Sequence, residues 1–276
     1  MSGFVPFALV VPEDRPDGRL ALVLHGILGS HKNWRTFARG LADQLPGWRF
    51  ALVDLRNHGA SHGAPGPHTV AACADDLERL ADQLGAPVQA VIGHSFGGKV
   101  ALEFAGRRPP GLRTAFILDA SPERHEVLPE GDHEVQAVLA ALRAVPMPLA
   151  RRNDVLAHLA AAGLPVAIQR WMTTNLRPED GGYVWTFDLD GATEMLHDYF
   201  GSDQWGPLRS TDPSAPAVHL VRAGRSDRWS PQVLDALDAL PPGARGAVHV
   251  LPDAGHWVHV DDPVGLTDLI VAAFPT

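Results

Sequence analysis

Short apolar runs rich in β-branched residues alternate with longer stretches of helical periodicity along most of the chain. Residues 7–11, 20–24, 50–53, 88–92, 115–118, 217–221 and 247–251 predict strands. Several of these are apolar at odd and even positions alike, as expected of strands covered by helices on both faces. Between them, apolar residues recur at helical spacing over 34–44, 70–84, 98–106, 231–240 and 263–274. Pro231 and Pro263 stand where a first-turn proline belongs, each behind a capping residue, Ser230 and Asp262. Such alternation predicts an α/β chain with a mostly parallel, doubly wound sheet.

One stretch breaks the rhythm. Residues 123–211 favour helix, over 133–144, 154–162 and 166–175, and hold no convincing buried strand. Pro146, Pro148, Pro165 and Pro178 punctuate the stretch, and Gly181-Gly182 marks a turn. It is too long for a loop and too strand-poor for sheet. The expected organisation is a core from residues 1–122 and 212–276 with a helical cap, 123–211, inserted into it.

Composition narrows the function. A formal charge of −9 with no basic run disfavours nucleic acid, which demands a positive stripe to displace phosphate counterions. Cys73 is the single cysteine, so no internal disulfide forms. No apolar run approaches the ~18 residues of a membrane span, and the N-terminus lacks a basic segment ahead of an apolar one. The expectation is a cytoplasmic protein with no membrane partner, monomer or homodimer. Without a Cys/His/carboxylate ligand cluster or a dinucleotide fingerprint, neither metal nor organic cofactor is expected.

The sharpest local signal is Gly93-His94-Ser95-Phe96-Gly97-Gly98, directly after the run 88–92 and before a helical pattern. A nucleophilic serine has to project from a tight strand-to-helix turn, and small flanking residues let that turn close. The helix N-terminus adds free N–H groups and partial positive charge beside a developing oxyanion. Ser95 is therefore the candidate nucleophile and Phe96 N–H one oxyanion donor. The second donor is expected from the loop after strand 20–24, His25-Gly26-Ile27-Leu28-Gly29, where Ile27 N–H is assigned. The hydroxyl needs a base. Of fourteen histidines, His256 in Gly255-His256-Trp257 follows the last strand and precedes the last helix, in the chain order Ser…Asp…His. His259 is its neighbouring rival, expected to be structural or pocket-lining.

These residues, in this order and spacing, resemble the α/β-hydrolase superfamily across nearly the whole chain. Gly29-Ser-His-Lys-Asn-Trp34, Asp54-Leu-Arg-Asn-His-Gly-Ala-Ser61, Gly255-His-Trp-Val-His259 and Lys99 further resemble the YbfF-type bacterial esterases and their mitochondrial abhydrolase relatives. The resemblance implies an eight-stranded sheet with the cap after the sixth strand, and hydrolysis of short acyl esters or thioesters without a cofactor. Two carboxylates compete to orient His256. Asp227, in Gly224-Arg-Ser-Asp-Arg-Trp-Ser-Pro231, holds the usual superfamily position and spacing and is favoured. Asp119, at the end of strand 115–118, matches the arrangement of the esterase subgroup. For Arg56, Asn57, His58 and Ser61 the resemblance implies loop architecture and no chemistry. Cys73 is expected to pack in a helix. Trp171, Trp185 and Trp205 are candidates for lining the pocket, although aromatics of inserted helices are more often core.

The expected activity is that of a serine carboxylesterase acting on a small-molecule ester. C–C bond or lactone hydrolysis, acyl transfer and a slow-turnover receptor remain open on the same residues. Serine at 95 argues against epoxide hydrolase and dehalogenase chemistry, which place an aspartate there.

Overall fold

The computed structural model describes residues 3–124 and 133–275. The core is a seven-stranded sheet: β1 (Ala8–Val11), β2 (Arg19–Leu24), β3 (Trp48–Val53), β4 (Val88–His94), β5 (Thr114–Leu118), β8 (Ala217–Ala223) and β9 (Gly246–Leu251), ordered β1-β3-β2-β4-β5-β8-β9. β1 runs antiparallel to β3, and every other pairing is parallel.

The strands are apolar on both faces because both faces are covered. On β2, Leu20, Leu22 and Leu24 face one cluster, beneath α2 (Val70–Leu84), α3 (Phe96–Arg107) and α9 (Pro231–Asp238). Ala21 and Val23 face the other, beneath α1 (Arg35–Gln44), α10 (Val258–Asp261) and α11 (Pro263–Ala273). Cys73 is buried in the first cluster, and its desolvated thiol is pushed well above its ordinary range. The helix starts form as the sequence predicts: Ser230 Oγ accepts from Val233 N–H at 3.2 Å and Asp262 Oδ1 from Gly265 N–H at 2.9 Å, each ahead of a first-turn proline.

Between β5 and β8 lie α4 (His133–Arg143), α5 (Asp154–Ala161), α6 (Val166–Thr173), α7 (Leu189–Gly201) and α8 (Trp205–Arg209). They carry an apolar cluster of their own, built around Leu142, Val155, Leu159 and Met172. Residues 125–132, near the start of the expected insertion, lie outside the described residues.

Three features depart from expectation. Among the described residues the sheet has seven strands instead of eight, because a single antiparallel strand precedes β2. For the same reason the insertion follows the fifth strand, not the sixth. The inserted segment also contains a hairpin, β6 (Leu176–Glu179) and β7 (Gly182–Trp185), turning at the Gly181-Gly182 pair. Its strands are only four residues long and one contains Pro178, so they carry no legible period-two pattern.

Candidate active site

Ser95 occupies the turn between β4 and α3 with φ 52° and ψ −119°. This is a strained conformation for a residue with a side chain, and it persists only where the surroundings over-determine it. The flanking glycines make that possible. A Cβ on Gly93 would run into the Gly97 carbonyl. One on Gly97 would come within 2.5 Å of the His25 carbonyl oxygen, and one on Gly98 within 2.6 Å of Ala120 Cβ. Ser95 N–H is tied to the Leu118 carbonyl at 3.0 Å, which registers the turn against the end of β5.

His256 arrives on the loop after β9. Its carbonyl accepts from His94 Nε2 at 2.8 Å, so the residue preceding the serine holds the loop that carries the imidazole. The His256 Nδ1 hydrogen bond, 2.7 Å, goes to Asp119 Oδ2. Asp119 is buried (1 % exposed) just past β5, and its N–H bonds to the Val221 carbonyl of β8 at 2.8 Å. Its other oxygen accepts from Ala223 N–H at 3.0 Å and Trp229 Nε1 at 2.7 Å. Burial opposes ionisation, but the hydrogen bond and charge of His256, with the other donors, hold the carboxyl below its ordinary range.

The structure puts Asp119, and not the favoured Asp227, on His256 Nδ1. Asp227 is exposed on the cavity wall. The segment 223–229 instead supplies Asp119 with hydrogen-bond donors. β5 and β8 are neighbours in the sheet, so Asp119 and Asp227 line the same cavity, and the buried carboxylate is the one on Nδ1. His259, the neighbouring rival, does not line the cavity that holds Ser95 and His256. It stacks on Trp34 with ring centroids 4.1 Å apart, and burial beside His256 pushes its pKa down to about 4.

The loop after β2 reaches the serine because position 26 is glycine. A Cβ there would sit 3.2 Å from Ser95 Cβ. Ile27 and Phe96, the two expected oxyanion donors, line a cavity of about 450 Å³ together with Ser95, Asp119 and His256. Val138, Ile168, Trp171, Leu196 and Phe200 from the inserted segment form its apolar side, while Arg225, Ser226 and Arg228 edge it with polar groups. Of the three candidate tryptophans, Trp171 lines the cavity, edge-on to Trp257 at 4.8 Å. Trp185 stacks on Phe187 inside the segment's own cluster, and Trp205 joins the main core. Sequence reasoning missed Trp229 and Trp257 in this site. Their positions beside Asp227 and His256 were the available hint.

Among the described residues no group of three or more His, Cys, Asp or Glu is placed to hold a metal ion. No described helix is long and apolar enough to cross a membrane.

Comparison with known proteins finds matches that extend over most of the chain. The family described as alpha/beta hydrolase fold matches residues 22–263. A mouse protein named sn-1-specific diacylglycerol lipase ABHD11 is 31% identical over 254 residues, covering 90% of this chain and 78% of its own. Esterase YbfF of Escherichia coli is 28% identical over 247 residues, 88% of this chain and 87% of the relative. Among solved structures, a marine microorganism esterase superposes with a TM-score of 0.81 at 22% identity, covering 98% of this chain and 99% of that one. The relatives are lipases and esterases, which supports ester hydrolysis.

Proposed function

Because this chain belongs to the α/β-hydrolase family, we propose that it is a serine carboxylesterase that hydrolyses short- to medium-chain acyl esters, thioesters included, through an acyl-enzyme on Ser95. The observation that carries this reading is the convergence of Ser95, held at positive φ, with His256 and a buried Asp119 in one cavity.

In the first half-reaction His256 Nε2 takes the Ser95 hydroxyl proton as Oγ attacks the ester carbonyl. Negative charge on the carbonyl oxygen is met by the Ile27 and Phe96 N–H groups, and Asp119 stabilises the imidazolium that forms. His256 returns the proton to the leaving alcohol, or thiol. In the second half-reaction it activates water, and the acid is released. The inserted segment acts as a lid over the acyl group. A cavity of about 450 Å³ with an apolar wall favours acyl chains of modest length.

A p-nitrophenyl ester series from acetyl to decanoyl, with an emulsified diacylglycerol beside it, tests the reading. The expected result is highest kcat/KM between acetyl and hexanoyl and low activity on the emulsion. Strong preference for the emulsion would replace the esterase reading with a lipase whose lid opens at interfaces.

A further inference from the structure

The turn Arg56-Asn57-His58 has no part in the chemistry above, yet it is buried directly behind the loop that carries Ile27. Three successive peptide groups of that loop are held from outside the cavity. The Gly26 carbonyl accepts from His25 Nδ1 at 2.7 Å and from Gly29 N–H at 3.0 Å. In a trans peptide N–H and C=O point in opposite directions, so fixing this carbonyl fixes the Ile27 N–H. The Leu28 N–H donates to His58 Nε2 at 3.0 Å. The Leu28 carbonyl accepts from Asn175 Nδ2 of the inserted segment at 2.8 Å. Leu28 itself sits at φ 60°, a left-handed conformation that costs on the order of 1 kcal/mol and persists only when held.

We propose that His58 is a positioning residue for ester hydrolysis, gripping the Leu28 amide so that the adjacent Ile27 N–H stays aimed at the oxyanion. The proposal rests on the reading of Ile27 as an oxyanion donor. His58 is suited to the task because its other nitrogen, Nδ1, donates to the Arg56 carbonyl at 3.0 Å, which leaves Nε2 as a bare acceptor. That carbonyl is itself anchored, since Arg56 makes a two-pronged ion pair with buried Asp76 on α2, at 2.7 and 2.9 Å. Burial, with His25 nearby, pushes the His58 pKa down to about 3, so the accepting form persists across the working range. Next to it, Asn57 Nδ2 donates to the Asp188 carbonyl at 3.0 Å. The turn therefore grips the inserted segment through Asn57 while His58 grips the oxyanion loop.

The test compares His58→Leu, which removes the acceptor, with His58→Gln, whose amide oxygen reaches about as far as Nε2. For each folded variant, active sites are counted with a fluorophosphonate. Then kcat and KM for p-nitrophenyl butyrate and Ki for an alkyl trifluoromethyl ketone, which forms a tetrahedral adduct, are measured. Loss of one oxyanion donor costs about 10²–10³ in kcat, so a misaimed donor is expected to cost about 10–100-fold. The expected result is such a loss in kcat per titrated site for His58→Leu, with KM nearly unchanged, Ki raised by a similar factor, and most of both recovered in His58→Gln. Unchanged kcat per site and unchanged Ki in His58→Leu would overturn the positioning role. A fall in kcat with Ki untouched would instead overturn the oxyanion role of Ile27. If His58→Leu does not fold, Asn175→Leu releases the next peptide of the same loop, Leu28–Gly29, and is held to the same readouts.

Discussion

Asp119 Oδ2 and His256 Nδ1 are 2.7 Å apart, a hydrogen bond that ties the end of β5 to the loop after β9. Removing the carboxylate from such a pair leaves the imidazole in the wrong tautomer and costs on the order of 10⁴ in kcat. Asp119→Asn is therefore expected to lose at least about 10³-fold in kcat on p-nitrophenyl butyrate. Asp227→Asn, at an exposed site, is expected to lose less than about 10-fold. Steady-state kinetics on the two purified variants check this, and reversed values would return the role to Asp227.

Lys99 is fully buried on α3, and its ammonium donates to the Glu123 carbonyl at 2.8 Å and the Tyr199 carbonyl at 2.5 Å, tying both ends of the inserted segment to the helix that follows the serine. Burial lowers its pKa to about 8, opposed by Asp203, Asp198 and Glu123. Since the unfolded chain keeps this proton up to about pH 10.5, the group's contribution to stability rises with pH between about 8 and 10.5. Lys99→Met is expected to destabilise the protein by about 1–3 kcal/mol, because two carbonyls lose their donor. It is also expected to remove that alkaline gain. Urea unfolding at pH 8 and pH 10 measures both effects.

Buried histidines give an acid-side prediction of the same sign. Burial lowers His58 to about 3 and His219 and His259 to about 4, and lowers His25 and His94 as well. Below about pH 6.5 the unfolded chain takes up protons that the folded one refuses, so stability falls as pH drops from about 6.5 toward 4. His259→Phe, which keeps a ring against Trp34, is expected to make that fall shallower in thermal melts across this range. An unchanged slope would show that His259 ionises freely when folded.

Where local pattern determines structure, the chain was legible. The elbow at Ser95 depends on Gly93, Gly97 and Gly98, all within three residues of the serine in sequence, and the caps at Ser230 and Asp262 sit beside their prolines. The orienting acid depends on something no local pattern encodes. β5 and β8 lie side by side, which offers His256 two candidate carboxylates, and sequence position and spacing favour Asp227. Only burial, with Trp229 and Ala223 as donors, separates them. The role of His58 was hidden for a related reason, since its partner Leu28 lies thirty residues earlier in the chain. The hairpin at 176–185 was lost to Pro178 and the glycine pair, which read as punctuation instead of strand.

Whether Ser95 is the nucleophile is decided by covalent labelling. The protein is treated with a fluorophosphonate, its intact mass is measured, and the adduct is located by peptide mapping. A single adduct on Ser95 is expected, formed in step with loss of esterase activity. A folded Ser95→Ala variant is expected to show no labelling and no turnover. An adduct on another serine, or ester turnover that survives Ser95→Ala, would contradict this assignment.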